Sequence, residues 1–346
     1  MGATAGRDLY RKMTRRRVAI IATFAAMAVV LFVVNCTFYM RWSPLEALQT
    51  IFDPGSVSRS LDSVIWSYRI PESCFAVLVG VALGMAGAEM QTVLNNPLAE
   101  PYTLGISMAA AFGAALVIGF GFGSSFLGDY AMIVGAFLMS MVACGSIYAV
   151  SRRRGSSRTT IILTGVAMLF LFQALVNAVQ SLGGKEVANS ITFWMFGNLA
   201  RYPDEMGYVL VLLIVVVLVA ALFAMNMWKL SALKLGDAKV YSMGVDASRL
   251  RRNTIIGISV VTAVAVSFTG TIGFVGLVGP HVARMLVGDD QRFLLPMSAL
   301  CGAVFLCASS VLIKGLDLGL PVGVVTSLIG VPFFLYLVLT RRRSLA

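Results

Sequence analysis

The sequence predicts an all-α polytopic membrane protein with about ten transmembrane helices and both termini in the cytoplasm. Of its 346 residues, 58% are hydrophobic and 12% are charged, whereas soluble domains are typically about 45–50% apolar and about 25% charged. The mean hydropathy is +0.87. The apolar residues also fall into runs of about 20, the length that a helix needs to cross a bilayer. These observations predict a protein embedded in the lipid bilayer.

Ten apolar segments approach or reach the length of a membrane span, and the eighth is the shortest. In chain order they cover residues 18–40, 69–93, 103–121, 130–150, 159–181, 206–228, 254–273, 275–289, 294–314 and 321–340. They form one ten-span domain over residues 18–340, between basic segments at 1–17 and 341–346. Because no small-residue cleavage pattern follows the first run, we expect a retained span rather than a signal peptide.

The distribution of lysine and arginine predicts the orientation. With the N-terminus inside, 21 of the 27 basic residues lie in inside segments and 6 lie in outside segments. Cytoplasmic loops of membrane proteins carry such an excess of basic residues. An even number of spans also places both termini on one side. The net charge of +11 is therefore explained by the basic cytoplasmic segments, and it does not indicate a nucleic-acid-binding surface.

Two short connections carry local signals. Residues 95–102, NNPLAEPY, contain two prolines, each of which disfavours helix at the residue before it, so we expect a rigid turn at the inner surface. Residues 190–199, SITFWMFGNL, are amphipathic. We expect them at the membrane surface, because Trp194 is of a type enriched at the interface.

The longest cytoplasmic loop, residues 229–253, mixes apolar and charged residues. Its glycines at 236 and 244 predict breaks between short amphipathic helices. An amphipathic segment on this face either lies on lipid or docks a partner, and we favour the partner.

Glycine recurs every third residue at 270, 273, 276 and 279, and Pro280 follows. Small residues at such spacing allow neighbouring helices to approach closely. Proline lacks an N–H and clashes with the preceding turn, so we expect a span to end or kink at Pro280.

Polar side chains inside spans are candidates for a pathway. Gln173, Asn177 and Gln180 share one face of the fifth span, which should turn inward, either as interhelical hydrogen bonds or as the lining of a polar pathway. Glu89 lies near the inner end of the second span. An interfacial carboxylate is favoured there over a proton or cation site.

Sequence signals for catalysis or bound metal are weak. The five cysteines form no C-x-x-C pair, His281 is the only histidine, and no G-x-x-x-x-G-K-[ST] phosphate loop occurs. We therefore expect no metal and no ATP bound by this chain. Ser107, in Gly-x-Ser, could pair with His281 as a serine protease dyad, but serine at a helix start is also a common cap.

Several ordered motifs between residues 60 and 340 resemble the permeases of cobalamin, iron–siderophore and haem ABC importers, the FecCD-type family. The motif residues are Asn96, Pro97, Glu100, Pro101, Gly276, Pro280, His281 and Arg284. Further matching stretches are RIP at 69–71, LGIS at 104–107, WMFG at 194–197 and LPVGVVT at 320–326.

The resemblance implies a non-catalytic transport subunit in the membrane of a prokaryotic cell. It would pair with a second copy or a paralogue, with two ATPase subunits on the cytoplasmic face and a solute-binding protein outside. ATP and Mg would bind in the ATPase, and this chain would hold no cofactor. The implied cargo is a ferric siderophore, haem or cobalamin.

The resemblance also implies roles for particular residues. The pathway would be lined by the fifth and tenth spans, at Gln173, Asn177, Gln180 and Thr326. Contact with the ATPase would involve Leu235, Gly236, Asp237, Ala238, Met243 and Gly244. The binding protein would dock on Arg69 and Lys314, while Glu72 departs from the basic residue usual after this Arg-x-Pro.

Two other functions remain open from the residues alone. One is a secondary carrier driven by protons or cations, with Glu89 as its ionisable site. The other is an intramembrane serine protease with Ser107.

Overall fold

The computed structural model describes residues 2–38, 42–122, 128–154, 157–202, 206–317 and 319–341. Fourteen α-helices form the described part of the chain. They are α1 (Gly2–Thr37), α2 (Pro44–Phe52), α3 (Arg59–Ser63), α4 (Ile70–Leu94), α5 (Ile106–Gly119), α6 (Gly128–Arg154), α7 (Arg158–Leu182), α8 (Gly184–Met195), α9 (Met206–Leu233), α10 (Asp237–Ser242), α11 (Ala247–Thr269), α12 (Val275–Val287), α13 (Gln291–Gly315) and α14 (Val322–Arg341). A π-helical turn, Val64–Arg69, leads into α4, and a 3-10 turn, Pro101–Leu104, precedes α5.

Ten of the described helices correspond to the ten predicted spans. Seven are long and apolar enough to cross a membrane, and three shorter apolar helices complete the set: Ile106–Gly119, Val275–Val287 and Val322–Tyr336. The predicted all-α, ten-span fold is therefore confirmed. Helices α2, α3, α8 and α10 connect the spans.

Three helices extend beyond the predicted spans. Helix α1 runs without a break from Gly2, so the basic segment 1–17 is continuous with the first span. Helix α9 runs to Leu233 and α11 begins at Ala247, so the predicted loop 229–253 shortens to residues 234–246. The early start of α11 has a local cause, because the Asp246 carboxylate accepts the Arg249 backbone N–H at 2.9 Å and caps the helix.

The core lies where α4 packs against α12 and α13 through glycine. A Cβ atom on Gly80 would lie 2.5 Å from the Gly302 carbonyl oxygen, and one on Gly87 would overlap the carbonyl of Gly276. The backbones of these helices therefore touch, as small residues permit in membrane bundles. Helix α4 is consequently buried over most of its length.

The glycine-rich segment breaks the chain earlier than predicted. Residues 270–274 are non-helical, and Phe274 has a φ of 67°. Pro280 lies inside α12, so of the two predicted outcomes, an end or a kink of the span, the end does not occur. Its missing N–H leaves the Gly276 carbonyl without its helical donor, and the Gln91 side-chain amide faces that oxygen at 3.5 Å. Close packing is confirmed at three of the four glycines, whereas a Cβ on Gly273 would meet no atom of the described residues within 4 Å.

Successive spans alternate in direction, so the start of α1 and the described end of α14 lie at the same end of the bundle. This end also holds α10, and we call it the α10 end. Tyr10 of α1, for example, accepts a hydrogen bond from Arg292 at the start of α13 at 3.4 Å.

Candidate functional site

The α10 end presents a short exposed helix between two glycines. Gly236 has a φ of 92° and Gly244 a φ of 77°, values that favour glycine. Leu235 and Met243, beside α10, are 55% and 61% exposed, while Val240 anchors the helix in the core. The sequence prediction of a short helix bounded by these glycines is confirmed.

The Asp237 carboxylate begins α10 and contacts two arginines. It accepts a short hydrogen bond from Arg251 of α11, whose side chain is 1% exposed. The Arg158 guanidinium at the start of α7 lies 3.6 Å away. The hydrogen bond from Arg251, followed by the charges of both arginines, lowers the pKa of Asp237. The carboxylate is thus ionised at neutral pH and binds α10 to two other helices.

Both arginines also contact backbone carbonyls. Arg251 Nε donates to the Val93 carbonyl at 3.2 Å, near the end of α4. Arg158 Nη2 donates to the Leu233 carbonyl at 3.3 Å, at the end of α9. A guanidinium can make several directed hydrogen bonds at once, so each arginine joins α10 to a different span.

A second ionic group lies nearby, around Asp289 between α12 and α13. Its carboxylate is 2.7 Å from Lys234 Nζ and 2.7 Å from Arg284 Nε. Arg284 also donates to the Gln91 side-chain oxygen at 3.0 Å. Partial burial raises the pKa of Asp289, but the two cations outweigh it and the net shift is downward. The family-motif residue Arg284 therefore ties α12 to α4.

The 95–102 segment is an ordered turn, as predicted. Asn95 ends α4 with a φ of 47°, and the Asn96 side chain accepts the Leu98 backbone N–H at 3.0 Å. Glu100 is buried, and its carboxylate accepts the Phe274 backbone N–H. Burial raises the pKa of Glu100 to about 7, although the Phe274 N–H opposes the rise. Glu100 thus connects this turn to the break before α12.

The amide face of α7 lies on the surface of the single chain. Asn177 is exposed, and Gln173 and Gln180 are half-buried. Gln173 donates to Asn177 at 2.9 Å, within the helix, and Gln180 donates to Thr192 of α8 at 3.2 Å. The expectation that this face turns inward is therefore wrong for one chain. In the single chain, Gln180 bonds a neighbouring helix, whereas Gln173 and Asn177 bond each other on the outer surface of α7.

A cavity of about 680 Å³ lies between α14, the 270–274 break and the end of α8. Its lining is mostly apolar and includes Glu100, Tyr102 and Ser327. Thr326 is fully buried and donates to the Gly323 carbonyl. Ser327 borders this cavity and Thr326 does not, and a pathway role for Thr326 stays a prediction.

The opposite end of the bundle gathers the three residues predicted to dock a binding protein. Glu72 lies 2.9 Å from Lys314 and 3.9 Å from Arg69. Lys314 also donates to Asn35 Oδ1 of α1 at 2.6 Å. A cavity of about 530 Å³ adjoins this group and is also lined by Arg201 and Asn198. Glu72 therefore neutralises neighbouring cations of its own chain, and docking on this group stays a prediction.

Two residues expected at the membrane interface are buried in the single chain. Glu89 is fully buried between α4 and α13, with Gln291 Nε2 3.5 Å from Oε2 and, among the described residues, no hydrogen-bond partner at Oε1. Trp194 is also buried, with the Arg201 guanidinium 5.3 Å from its ring centre. It therefore packs in the core of the chain, and the membrane-surface position expected for residues 190–199 stays a prediction.

The residues of the imagined protease are in ordinary packing positions. Ser107 is buried at the start of α5, and the His281 ring meets Phe333 edge-on at 6.4 Å. Among the described residues, no group of three or more His, Cys, Asp or Glu side chains could hold a metal ion.

Sequence reasoning assigned no site role to Arg251, Arg158, Gln91 and Asn35. The two arginines counted only toward the orientation of the spans, because nothing in their neighbourhood in the sequence distinguishes a buried arginine from one at the headgroups. The one available sequence signal was for Gln91, a polar residue near the start of the Asn-Pro-Leu turn.

Comparisons with known proteins agree with this architecture. The chain is 35% identical to the cobalamin import system permease protein BtuC of Halobacterium salinarum, over 82% of this chain and 76% of that protein. It is 34% identical to the hemin transport system permease protein HmuU of Yersinia pestis, over 81% and 84% of the two chains. A solved metal-chelate type ABC transporter in an inward-facing conformation matches with a TM-score of 0.81 and 28% identity, over 93% of this chain and 99% of that one.

The ten spans and these similarities define a multi-pass membrane transport protein of the ABC permease class. Residues 19–340 match the FecCD transport family. The chain belongs to that family, as its motifs predicted.

Proposed function

We propose that this chain is the membrane permease of an ATP-driven importer of a bulky metal chelate. The cargo is a ferric siderophore, haem or cobalamin, and the membrane is the cytoplasmic membrane of a prokaryote. The observation that carries the proposal is the family match over residues 19–340. The relatives named for cobalamin and hemin import, and the fold shared with a metal-chelate transporter, support it.

The permease acts with partners in this proposal. A second copy or a paralogue completes the pathway, two ATPase subunits bind at the α10 end, and a solute-binding protein binds at the opposite end. The amide face of α7 supports the first partner, because polar side chains left on a membrane helix need protein or water beside them. The exposed Leu235 and Met243 support the second, because they flank a short helix held by a buried side chain.

The chain supplies no chemistry in this scheme. ATP and its magnesium ion bind in the ATPase. Movements of the ATPase then open the pathway alternately to the two sides of the membrane. Conversely, import requires the permease to convert motion at α10 into motion of the spans.

The direct test is uptake by proteoliposomes that contain the chain, its ATPase and its binding protein. Ferric siderophore, hemin and cyanocobalamin are supplied separately, with ATP inside the vesicles. We expect one of them to accumulate only when the ATPase is active. Accumulation without the ATPase, which collapses when the ion gradient is removed, would contradict the proposal and favour a secondary carrier.

A further inference from the structure

The Asp237 carboxylate is the point at which the exposed α10 helix meets the spans. It is the first residue of α10 and remains partly exposed, while its principal partner, Arg251, is buried. Because an ionised pair with one buried member is costly to break, α10 and α11 should move together at this point.

From Asp237, one arm leads to the turn between α4 and α5. Arg251 reaches across α11 and donates to the Val93 carbonyl, two residues before Asn95. Asn95 and Asn96 then form the turn, in which Leu98 is 47% exposed. Two hydrogen bonds of one guanidinium therefore connect α10 to the end of α4.

The other arm leads to α7. Arg158 is the first residue of α7 and lies 3.6 Å from the same carboxylate oxygen. It also holds the end of α9 through the Leu233 carbonyl. Helix α7 carries the amide face, so this arm ends on the span proposed to line the pathway.

A glycine lies on either side of α10. At Gly236 and Gly244, a Cβ atom would meet no atom of the described residues within 4 Å, and glycine adopts more backbone conformations than other residues. Between them, Asp237 is held by directed bonds and Val240 by burial. Glycines on both sides of a helix that is held at Asp237 and Val240 suit a helix that moves about that contact.

We propose that Asp237, Arg251 and Arg158 form a relay that transmits displacement of α10 to the α4–α5 turn and to α7. All three are positioning residues, since none needs to touch cargo or nucleotide. The inference rests on the proposed function, because it takes the ATPase to be the source of the displacement.

The test measures motion at the turn, using the complete transporter with its ATPase. Leu98→Cys places a thiol on the turn, and its reaction with a polar maleimide is followed with and without ATP and vanadate. The native cysteines are buried or half-buried, and the transporter without Leu98→Cys supplies the background. We expect the nucleotide to change the reaction rate by about 5-fold or more.

Arg251→Gln should remove this response while ATP hydrolysis persists, and should reduce uptake about 10-fold. Arg251→Lys, which keeps the charge but cannot hold both contacts, should give an intermediate response. Arg249→Gln is the matched control, because Arg249 lies on the same helix but is exposed, and it should leave the response unchanged.

An unchanged nucleotide response in both Arg251 variants would overturn the relay, as would the absence of any response in the Leu98→Cys parent that still transports. If the unsubstituted transporter neither binds the ATPase nor needs it for uptake, the proposed function itself fails. A purely structural role for Arg251 would instead lower the melting temperature and weaken ATPase binding together with uptake, and that result would also overturn the relay.

Discussion

Replacing Gly80 by alanine tests whether the α4–α13 contact has the tightness that the structure shows. The new Cβ would lie 2.5 Å from the Gly302 carbonyl oxygen and 2.6 Å from the Ala303 Cα. Non-bonded carbon contacts are most favourable at about 3.5–4.0 Å, so the two helices would have to separate by roughly 1 Å. Because the obstructing atoms belong to backbone, no side-chain rotation relieves the overlap.

The expected cost follows from two opposing terms. Overpacking a close contact costs about 1–3 kcal/mol, whereas glycine to alanine inside a helix returns about 1 kcal/mol of helix propensity. Gly145→Ala is the matched control, because Gly145 is exposed inside α6 and a Cβ there meets no atom of the described residues within 4 Å. The propensity term is similar for both variants, so their difference isolates the packing cost.

The assay is thermal unfolding of the purified protein in one detergent, with both variants measured beside the parent. Gly145→Ala should melt at or slightly above the parent temperature, and Gly80→Ala should melt several degrees below Gly145→Ala. Equal melting temperatures for the two variants would refute the claim that α4 and α13 touch at their backbones.

Three further predictions concern titratable and hinge residues. The Glu100 pKa of about 7 lies above that of an unfolded carboxyl, so stability should fall by up to about 3 kcal/mol as the pH rises from about 4.5 to 7. Glu100→Gln should flatten the melting temperature over that range, and an unchanged slope would disprove the assignment. Glu89→Gln keeps the shape of a buried side chain without its proton, so ATP-driven uptake should remain within about 2-fold of the parent; loss of uptake with normal folding would revive the ion-driven carrier. Replacing Gly236 and Asp237 together by alanine should leave ATP hydrolysis but reduce uptake about 10-fold or more, measured in the same proteoliposomes, and normal uptake would count against α10 as the coupling element.

The spans could be predicted because their signal is local. A membrane helix must satisfy its own backbone and cover itself with apolar side chains, so each of the ten spans is visible in a single window of sequence. The short helix between Gly236 and Gly244 was visible for the same reason, since glycine marks a break and apolar residues between charges mark an amphipathic turn.

Errors arose where a residue's role depends on distant parts of the chain. Pro280 is tolerated inside α12 because Gln91, which is 189 positions earlier in the numbering, faces the carbonyl that proline leaves unpaired. Trp194 was placed at the interface by its type and Glu89 by its position in the second span, whereas packing against other helices buries both of them.

The sequence by itself determined the class of protein, the number of spans and the family, because hydrophobic run length and motif order are properties of neighbouring residues. Only the tertiary structure decided which polar residues meet. Arg251 donates to Asp237 and, across 158 positions of sequence, to the Val93 carbonyl. No local pattern records such a contact, because a guanidinium is stable in the interior only when the fold brings hydrogen-bond acceptors to it.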